Sequence, residues 1–494
     1  MITVLMLATV FCLPAFAADA SAADDPAPGV VLRLSATMRD GTTKVIEDYD
    51  SFETGWNAAM ELAANPKELN NNNYARVMVK LYADWNAVKG EFTKDFFNGK
   101  GFNWDAIYFP SNVKVTLDLN GYTINRGLTA YQYNGEVMYI DKKAEVVIEN
   151  GTVTGGWSCN GAGGIHINDG ANVILNNVNV VGNVVEDDNG AGIAVYNGAT
   201  LIMNNGSISK NVIYSTSITH YTYLGDSSGA LYVADAAAVL TNVTFKENVA
   251  KNVSAQGVVG AFVRSSVVMD GCIVEDNGYV AEDNSYVTPE SLIYSVGSLD
   301  LTIKNTTFKN NGDVYRVWNA HGFGQRATLM SFEASQHAGD VYVTLEKCTF
   351  TGNKMDYLFD TSGVAFTMTE CTVTDNFAGV AFIRHNILKN AKHSTFTGCS
   401  FNNNKPVASE IEYRGIKNPG TIYISDETAK VSFIDCNLGD STFTNKNYAT
   451  FADSSVTGSI FTEGSVTMII AIVALIASAA SICLTVISKK KKAV

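Results

Sequence analysis

Two aromatic-rich segments hold the side chains best suited to ligand recognition in this chain. They run over residues 214–223 (YSTSITHYTY) and 315–326 (YRVWNAHGFGQR). Aromatic rings stack on the apolar faces of sugars, and Arg or His beside them can hydrogen-bond hydroxyl groups. The alternative is that these rings fold back over an edge of the core. The candidate ligand-binding residues are Tyr315, Arg316, Trp318, His321, Arg326, His220, Tyr221 and Tyr223.

Carboxylates suited to acid–base chemistry are harder to find. Asp187–Asp188 is a carboxylate pair, but it follows Glu186 in a loop and we interpret it as solvated. A column of His166, Ala194 and Tyr232 aligns on successive predicted strands, and we expect His166 to be exposed. Neither group has the ligand spacing of a zinc site or the clustered Asp residues of a calcium site. We therefore expect no catalytic, metal-binding or cofactor-binding residues.

These residues are positioned by a nine-residue repeat. An apolar residue is followed by a small one, a second apolar one and usually a final Asn, as in Leu175–Asn183 (LNNVNVVGN) and Met368–Asn376 (MTECTVTDN). The fourth and sixth places are apolar or small and their neighbours polar, which is the period of a half-buried strand. Copies recur between Ile148 and Ser441 at spacings that suit one coil of a solenoid with variable insertions.

The third place of the repeat is predicted to turn a corner between two strands. It is often Asn, Gly or Asp, which tolerate a left-handed backbone, as at Asn177 and Gly271. Stacked coils would align these residues in a ladder, which Lys347 and Glu370 interrupt. A further strand follows a glycine upstream of several repeats, as in Gly192–Val195. Two or three strands per coil then form long parallel sheets with right-handed crossovers.

Cysteines favour the fourth place of the repeat. Of eight in the chain, Cys12 and Cys483 lie in its apolar ends. Other copies carry Val or Thr in the same place, so we interpret the slot as small and buried and its occupants as a column of thiols. Disulfides are the alternative, although equivalent residues on parallel strands seldom reach bridge geometry. The five residues are Cys272, Cys348, Cys371, Cys399 and Cys436.

Residues 18–135 are predicted to form an N-terminal cap and the first coils. An amphipathic helix is expected over Asp50–Ala64, with a capping box from Asp50 to Glu53 and Pro66 closing it. Packed over the first coil, this helix would hide an open sheet edge. Strands are expected at Val77–Ala83 and Val113–Leu119, followed by a turn at Asn120–Gly121.

The N-terminal end predicts export. Val4–Phe16 is apolar and Ala15–Ala17 forms an A-x-A cleavage site, so residues 1–17 are interpreted as a signal peptide. The formal net charge of −14 makes nucleic acid and anionic lipid poor partners.

The C-terminal end predicts an anchor. Val466–Ser488 carries no charge and, at about 1.5 Å per residue, is long enough for a transmembrane helix. The basic tail at 489–494 opens with Lys489–Lys492, which marks the cytoplasmic side. We predict a single-pass plasma-membrane protein with its N-terminal domain extracellular. A short stalk rich in Ser, Thr and Gly, residues 442–465, would hold that domain near the bilayer.

The sequence resembles bacterial and archaeal surface proteins with a right-handed parallel β-helix of the pectate-lyase-like superfamily. The phrase LDLNGYTI (Leu117–Ile124), the NGTV and NxTF repeats and the terminal span with its lysines carry the resemblance, over roughly residues 30–441. Pectin-cleaving hydrolases of this fold also carry Asn-Thr-Asp, Asp-Asp, Gly-His-Gly and Arg-Ile-Lys segments. Here Asp187–Asp188 has no Gly-His-Gly partner, and Arg414–Lys417 only echoes the last segment.

The predicted fold is therefore all-β. It consists of a right-handed parallel β-helix solenoid over residues 136–441, an N-terminal α/β cap and one C-terminal transmembrane helix. Because this fold hosts lyases, hydrolases, epimerases and adhesins, function stays open between three hypotheses. They are a non-catalytic surface protein for adhesion to glycans or to host or cell-surface molecules, a surface polysaccharide lyase or glycoside hydrolase, and a structural component of the cell envelope. Converging carboxylates would favour the enzyme, whereas a flat face of Asn and Thr would favour binding.

Overall fold

A computed structural model describes most of the chain between its two ends. The described residues are 26–87, 102–103, 106–186, 188–214, 229–251, 256–280, 291–297, 299–312, 328–333, 341–384, 394–405, 420–425, 429 and 431–455. The predicted signal peptide, the predicted transmembrane helix and its basic tail lie outside these residues. Among the residues the structure describes, no helix has the length and apolar character needed to cross a membrane.

Within the described residues, three sheets form the walls of a coiled chain. The first and largest has 23 strands. They are Leu32–Met38, Thr43–Tyr49, Tyr74–Leu81, Trp85–Asn86, Lys114–Asp118, Thr123–Asn125, Glu145–Thr154, Asn172–Val181, Thr200–Ser209, Ala237–Thr241, Thr244–Lys246, Ser266–Asp270, Ile273–Glu275, Leu299–Lys304, Thr307–Lys309, Val341–Glu346, Thr349–Thr351, Ala365–Thr369, Thr372–Thr374, Ser394–Thr397, Ser400–Asn402, Val431–Ile434 and Ala449–Ala452.

The second sheet has 13 strands and the third has five. The second contains Phe102–Asn103, Ala106–Phe109, Met138–Ile140, Ile165–Ile167, Ile193–Tyr196, Leu231–Ala234, Gln256–Val263, Ser291–Val296, Thr328–Glu333, Lys354–Ser362, Phe377–Arg384, Ile422–Ile424 and Phe443–Thr444. The third contains Trp157–Ser158, Val184–Glu186, Val212–Tyr214, Val249–Lys251 and Gly278–Val280. A short 3-10 helix, Lys446–Tyr448, precedes the last strand.

Equivalent places of the repeat stack in register from coil to coil, as predicted. Leu175 pairs in parallel with Ile148 on one side and with Met203 on the other. All three side chains are fully buried, because alternate residues of each strand point into the coil. Aromatic stacking extends this interior, as where the Phe308 and Phe350 rings lie parallel with centroids 4.9 Å apart. The core is therefore a narrow apolar column along the coil axis.

The third place of the repeat is a left-handed corner, which confirms the prediction. Asn177 has φ 54° and Gly271 has φ 65°. The side-chain amide of Asn177 donates to the Oδ1 atom of Asn150 in the preceding coil at 3.2 Å. Lys347 and Glu370 interrupt the run of Asn but still adopt φ 54° and 51°. The stacking therefore imposes the corner even where the residue type disfavours it.

The five repeat cysteines form the buried column that the sequence predicts. All five are buried and unbridged. The backbone N–H of Cys348 donates to the Sγ atom of Cys371 one coil later, at 3.2 Å. Hydrogen bonding with Cys348, together with burial, raises the pKa of Cys371 to about 12. These thiols therefore behave as small core side chains.

A second asparagine ladder, inside the coil, was not predicted. In eight of the repeats the ninth residue is a buried Asn that bonds to its counterpart in a neighbouring coil, as where the Nδ2 atom of Asn311 donates to the Oδ1 atom of Asn353 at 2.9 Å. The Nδ2 atom of Asn311 also donates to the carbonyl oxygen of Val274 at 2.8 Å. Buried backbone groups at this corner are thus satisfied by amide side chains. Its members are Asn183, Asn211, Asn248, Asn277, Asn311, Asn353, Asn376 and Asn404.

The N-terminal cap is present, with two corrections. Helix α1 spans Phe52–Ala63, and its N-cap is Ser51, whose side chain accepts from the Thr54 amide, so the predicted capping box beginning at Asp50 is wrong by one residue. Pro66 does not close this helix but begins a second one, α2, Pro66–Asn71. Trp56 of α1 packs edge-on against Phe109 with centroids 5.0 Å apart. The helix thereby covers the first coil.

The strands of the cap differ from the predicted ones. The predicted Val77–Ala83 is observed as Tyr74–Leu81, and Leu32–Met38 pairs antiparallel with it. Thr43–Tyr49 pairs antiparallel with Leu32–Met38 and is largely exposed. A register shift in this pairing marks a bulge, which blunts an exposed strand edge.

Candidate functional site

The eight predicted ligand-binding residues lie outside the described residues, so the structure does not test whether they come together. Of the first segment, Tyr214 is described, and it is the last residue of the strand Val212–Tyr214. Its ring packs edge-on against Trp157 with centroids 6.3 Å apart, and the Lys251 ammonium lies 5.9 Å from its centroid. This end of the segment is therefore held against the third sheet.

The outer surface of the first sheet carries an open polar face. Between Val341 and Asn402 alternate residues of each strand point away from the core, and most of them are Thr, Ser or Asn. We call these outward side chains the threonine face. Its members are Tyr342, Thr344, Thr349, Thr351, Ala365, Thr367, Thr369, Thr372, Thr374, Thr395, Thr397, Ser400 and Asn402.

Hydroxyl groups on the threonine face are ordered in files along the coil axis. Thr344 pairs in register with Thr367, and Thr367 with Thr395. Neighbouring parallel strands are about 4.8 Å apart, so each file repeats at that spacing. A second file across the corner runs through Thr349 and Thr372. The face is therefore a regular lattice of hydrogen-bonding groups.

One aromatic ring stands at the edge of this lattice. The Tyr342 side chain is 48% exposed, which is unusual for an aromatic residue on a strand. It pairs in register with Asp300 of the preceding coil and with Ala365 of the next. Because the Ala365 side chain is small, it leaves space beside the Tyr342 ring on that side. The arrangement suits a flat ligand that stacks on Tyr342 and bonds to neighbouring hydroxyl groups.

Charged residues beside the threonine face neutralise each other across coils. The Lys304 Nζ atom lies 3.1 Å from a Glu346 carboxylate oxygen, and this hydrogen bond lowers the pKa of Glu346. Lys347 bridges Glu346 at 3.6 Å and Glu370 at 3.8 Å. These surface pairs contribute little stability, but they leave no strong field of one sign at this edge.

The outer surface of the second sheet carries a column of stacked rings. Tyr139 and His166 are stacked with centroids 4.7 Å apart, and His166 lies 5.0 Å from Tyr196. Tyr196 in turn lies 5.5 Å from Tyr232. The expectation that His166 is exposed is wrong, since the residue is half-buried between the Tyr139 and Tyr196 rings and burial lowers its pKa to about 4.

Carboxyl groups surround this ring column. Asp141 accepts a hydrogen bond of 2.7 Å from the Tyr108 hydroxyl group. Asp188 is half-buried and accepts from the Gly161 amide at 2.8 Å, and burial raises its pKa. The interpretation of Asp187–Asp188 as a solvated pair is therefore wrong for Asp188. Asp187 lies outside the described residues.

Glu136 is the most unusual of these carboxyl groups. Its side chain is 2% exposed, and its Oε2 atom has no hydrogen-bond partner among the described residues. Burial raises its pKa to about 7, and the Arg126 guanidinium, which contacts the Glu136 backbone carbonyl, opposes that shift. A carboxylic acid with such a pKa could donate or accept a proton near neutral pH.

The His166 ring and the Glu136 carboxyl group are both at least partly covered in the folded protein. Gly161 packs so closely on the His166 ring that a Cβ atom there would overlap its Nδ1 atom. Glu136 is enclosed more completely than His166. On the threonine face, in contrast, Tyr342, Thr367 and Thr372 are exposed and the other members are partly accessible to solvent. Among the described residues, no cluster of His, Cys, Asp and Glu suits a metal ion.

The sequence carries a signal for the threonine face. Alternating phrases such as Thr349–Thr351 (TFT) and Thr372–Thr374 (TVT) place hydroxyl groups on one side of a strand. Because the coils stack in register, the two hydroxyl groups of each phrase are repeated from strand to strand and form a lattice. Glu136 has no comparable signal, because it lies between strands, outside the repeat.

Comparison with known proteins supports the fold. A family model described as a right-handed beta helix region matches residues 105–288. This range holds the first coils, from the strand Ala106–Phe109 to Gly278–Val280. No curated protein and no solved structure shows significant similarity to the chain. The chain is thus similar to right-handed β-helix regions over this part of its length.

Proposed function

We propose that this chain is a membrane-anchored extracellular β-helix protein that acts as a non-catalytic scaffold for adhesion or glycan binding. The observation that carries the proposal is the threonine face, an open and ordered surface of hydroxyl and amide groups with the exposed Tyr342 ring at its edge. Sugars present hydroxyl groups and apolar ring faces. Both kinds of group find complements there.

The rod-like core suits a presenting role. Its strands pair in register from coil to coil, so the outward side chains are held by a continuous hydrogen-bonded wall. A rigid surface loses little conformational entropy when a ligand binds. The threonine face is thereby organised before any ligand arrives.

Anchoring by Val466–Ser488 is part of the proposal and rests on the sequence. We expect the full chain to fractionate with membranes and to resist extraction by high salt. External protease should digest the β-helix of intact cells and leave a small membrane-bound fragment. Release of the intact chain by salt alone would rule out the anchor.

A glycan array tests the binding activity. The full chain purified in detergent should bind a subset of glycans, whereas the same glycans incubated with it should release no unsaturated or reducing-end products. A variant with Thr344, Thr367 and Thr395 all changed to Val keeps the shape of the face but removes one file of hydroxyl groups. It should bind more weakly. If the wild-type protein binds no glycan on the array, a structural role in the cell envelope is favoured.

A second candidate is a surface polysaccharide lyase or glycoside hydrolase. The observation that favours it is Glu136, a carboxyl group whose pKa of about 7 suits proton transfer, in the same ring-column region as His166. Product release by the wild-type protein that disappears in Glu136→Gln would establish this function. It would also require the covering segments to open.

A further inference from the structure

Resting on the proposed function, we infer that the ligand is a linear, uncharged polysaccharide that lies along the coil axis on the threonine face, with one sugar ring stacked on Tyr342. The inference names the ligand class, its direction and the residue that positions it. Three features of the face carry it.

The direction follows from the hydroxyl files. Thr302, Thr344, Thr367 and Thr395 pair in succession along one line, and the line continues through Ser432. Neighbouring members of the line are about 4.8 Å apart, so every second member is roughly 10 Å away. Extended β-1,4-linked chains advance by a comparable length per disaccharide. A chain along the axis can therefore repeat its hydrogen bonds, whereas a chain across the axis meets corners.

The absence of charge on the ligand follows from the ion pairs. Lys304 is engaged by Glu346 at 3.1 Å, and Lys309 by Glu275 at 2.6 Å. A polyanion would have to displace these carboxylates to reach the lysines, and a polycation would have to displace the lysines. Hydroxyl groups of Thr can donate and accept, so they match neutral sugar hydroxyl groups without any such exchange.

The position of the stacked ring follows from Tyr342 and Ala365. The two residues are direct partners on neighbouring strands, and Ala365 leaves room beside the ring. A pyranose over Ala365 would contact the Tyr342 ring and reach the hydroxyl group of Thr367, two residues further along the strand. Stacking of this kind is worth about 1 kcal/mol or slightly more, which corresponds to a change in affinity of up to roughly tenfold.

Calorimetry with the full chain in detergent tests the inference. The probes are β-1,4-linked gluco-oligosaccharides and manno-oligosaccharides from disaccharide to hexasaccharide, with oligogalacturonates of the same lengths. We expect affinity for neutral oligosaccharides to rise with each added unit and the oligogalacturonates to bind more weakly. Tyr342→Ala should weaken binding of the hexasaccharide by up to roughly tenfold. Thr367→Val, which preserves shape, should weaken it to a smaller degree.

Tyr133→Ala is the matched control, because Tyr133 is 69% exposed and lies outside the threonine face. It should bind as the wild-type protein does, and unchanged melting temperatures should show that all variants fold. Glycan binding that Tyr342→Ala and Thr367→Val leave unaltered, or tighter binding of the oligogalacturonates, would overturn the inference while the proposed function stands. Failure of every glycan to bind, on the array and here, would overturn both.

Discussion

Asn353 donates its side-chain amide to the Oδ1 atom of Asn376 in the next coil at 2.9 Å, and its backbone N–H donates to the same oxygen at 3.0 Å. One side chain thus satisfies two donors. Asn353 in turn accepts both equivalent bonds from Asn311 of the preceding coil. The ladder therefore links each coil to the next through the interior.

Replacing Asn353 should break the ladder at its centre. In Asn353→Ala the Asn311 backbone N–H and the Phe308 carbonyl oxygen lose their partners in a buried corner. Each unsatisfied group costs about 1–3 kcal/mol, so we expect a loss of roughly 3 kcal/mol in the free energy of unfolding. Urea unfolding measures this loss. Asn402→Ala, an outward Asn on the same rod, should change it little, and equal losses in both variants would contradict the assigned role.

A better corner residue at position 347 should stabilise the protein. Lys347 has φ 54°, a conformation that costs a residue with a Cβ atom about 1 kcal/mol relative to Gly. Lys347→Gly should therefore raise the melting temperature, despite the loss of weak surface ion pairs with Glu346 and Glu370. Lys354→Gly is the control, since Lys354 lies in a strand, where Gly is expected to destabilise. A lower melting temperature for Lys347→Gly would count against strain at this corner.

The thiols of the cysteine column should not react with alkylating reagents in the folded protein. Cys371 and Cys399 are buried, and a hydrogen bond with the cysteine of the preceding coil, together with burial, raises the pKa of each to about 12. Iodoacetamide at neutral pH should therefore label them only after unfolding. Mass spectrometry of labelled peptides gives the readout.

Substitutions in the same column should separate a packing role from a chemical one. Cys371→Val should cost less than about 1.5 kcal/mol, because Val occupies the equivalent slot at Val178 and Val243. Cys371→Asp should prevent folding, since it buries an unpaired charge. Rapid labelling of native Cys371, or unfolding caused by Val, would contradict the picture of a close-packed column.

Two buried groups should oppose each other in the pH dependence of stability. Glu136 has a raised pKa, so its contribution is complete below pH 4.5 and is lost as pH rises to about 7. His166 has a lowered pKa, so its contribution is complete above pH 6.5 and is lost as pH falls to about 4. Between these limits the two changes nearly cancel.

Glu136→Gln should expose the contribution of His166. Relative to the wild-type protein, the variant should gain roughly 2 kcal/mol in the free energy of unfolding between pH 5 and pH 8. Urea unfolding at the two pH values measures the difference. Glu370→Gln, on an exposed side chain, should show no such gain. A constant difference between wild type and Glu136→Gln would mean that Glu136 is not buried as described.

Most of the fold was predictable because it is repetitive. One apolar place every second residue, a corner residue that tolerates positive φ and a recurring cysteine slot together specify stacked coils, and the observed register agrees at Leu175, Asn177 and Cys371. The predicted N-cap of the first helix was wrong by one residue. Asp50 and Ser51 are both good N-cap residues, so residue type alone does not choose between them.

The candidate sites were predictable only where they share the repeat. The threonine face follows from TxT phrases once the coils are stacked. The enclosure of His166 does not, because it depends on Gly161 and on rings from other coils. Periodicity gives the direction of a side chain, whereas its burial on an outer surface depends on segments that do not repeat.

The most direct test of the account is to map where a glycan sits. A photoreactive derivative of the tightest-binding array glycan, cross-linked to the full chain and analysed by mass spectrometry, should label peptides containing Val341–Glu346 and Ala365–Thr369. Excess unmodified glycan should abolish that labelling. Cross-links confined to the ring column around Gly161 and His166, or to the segments at 214–223 and 315–326, would contradict the threonine face as the binding surface.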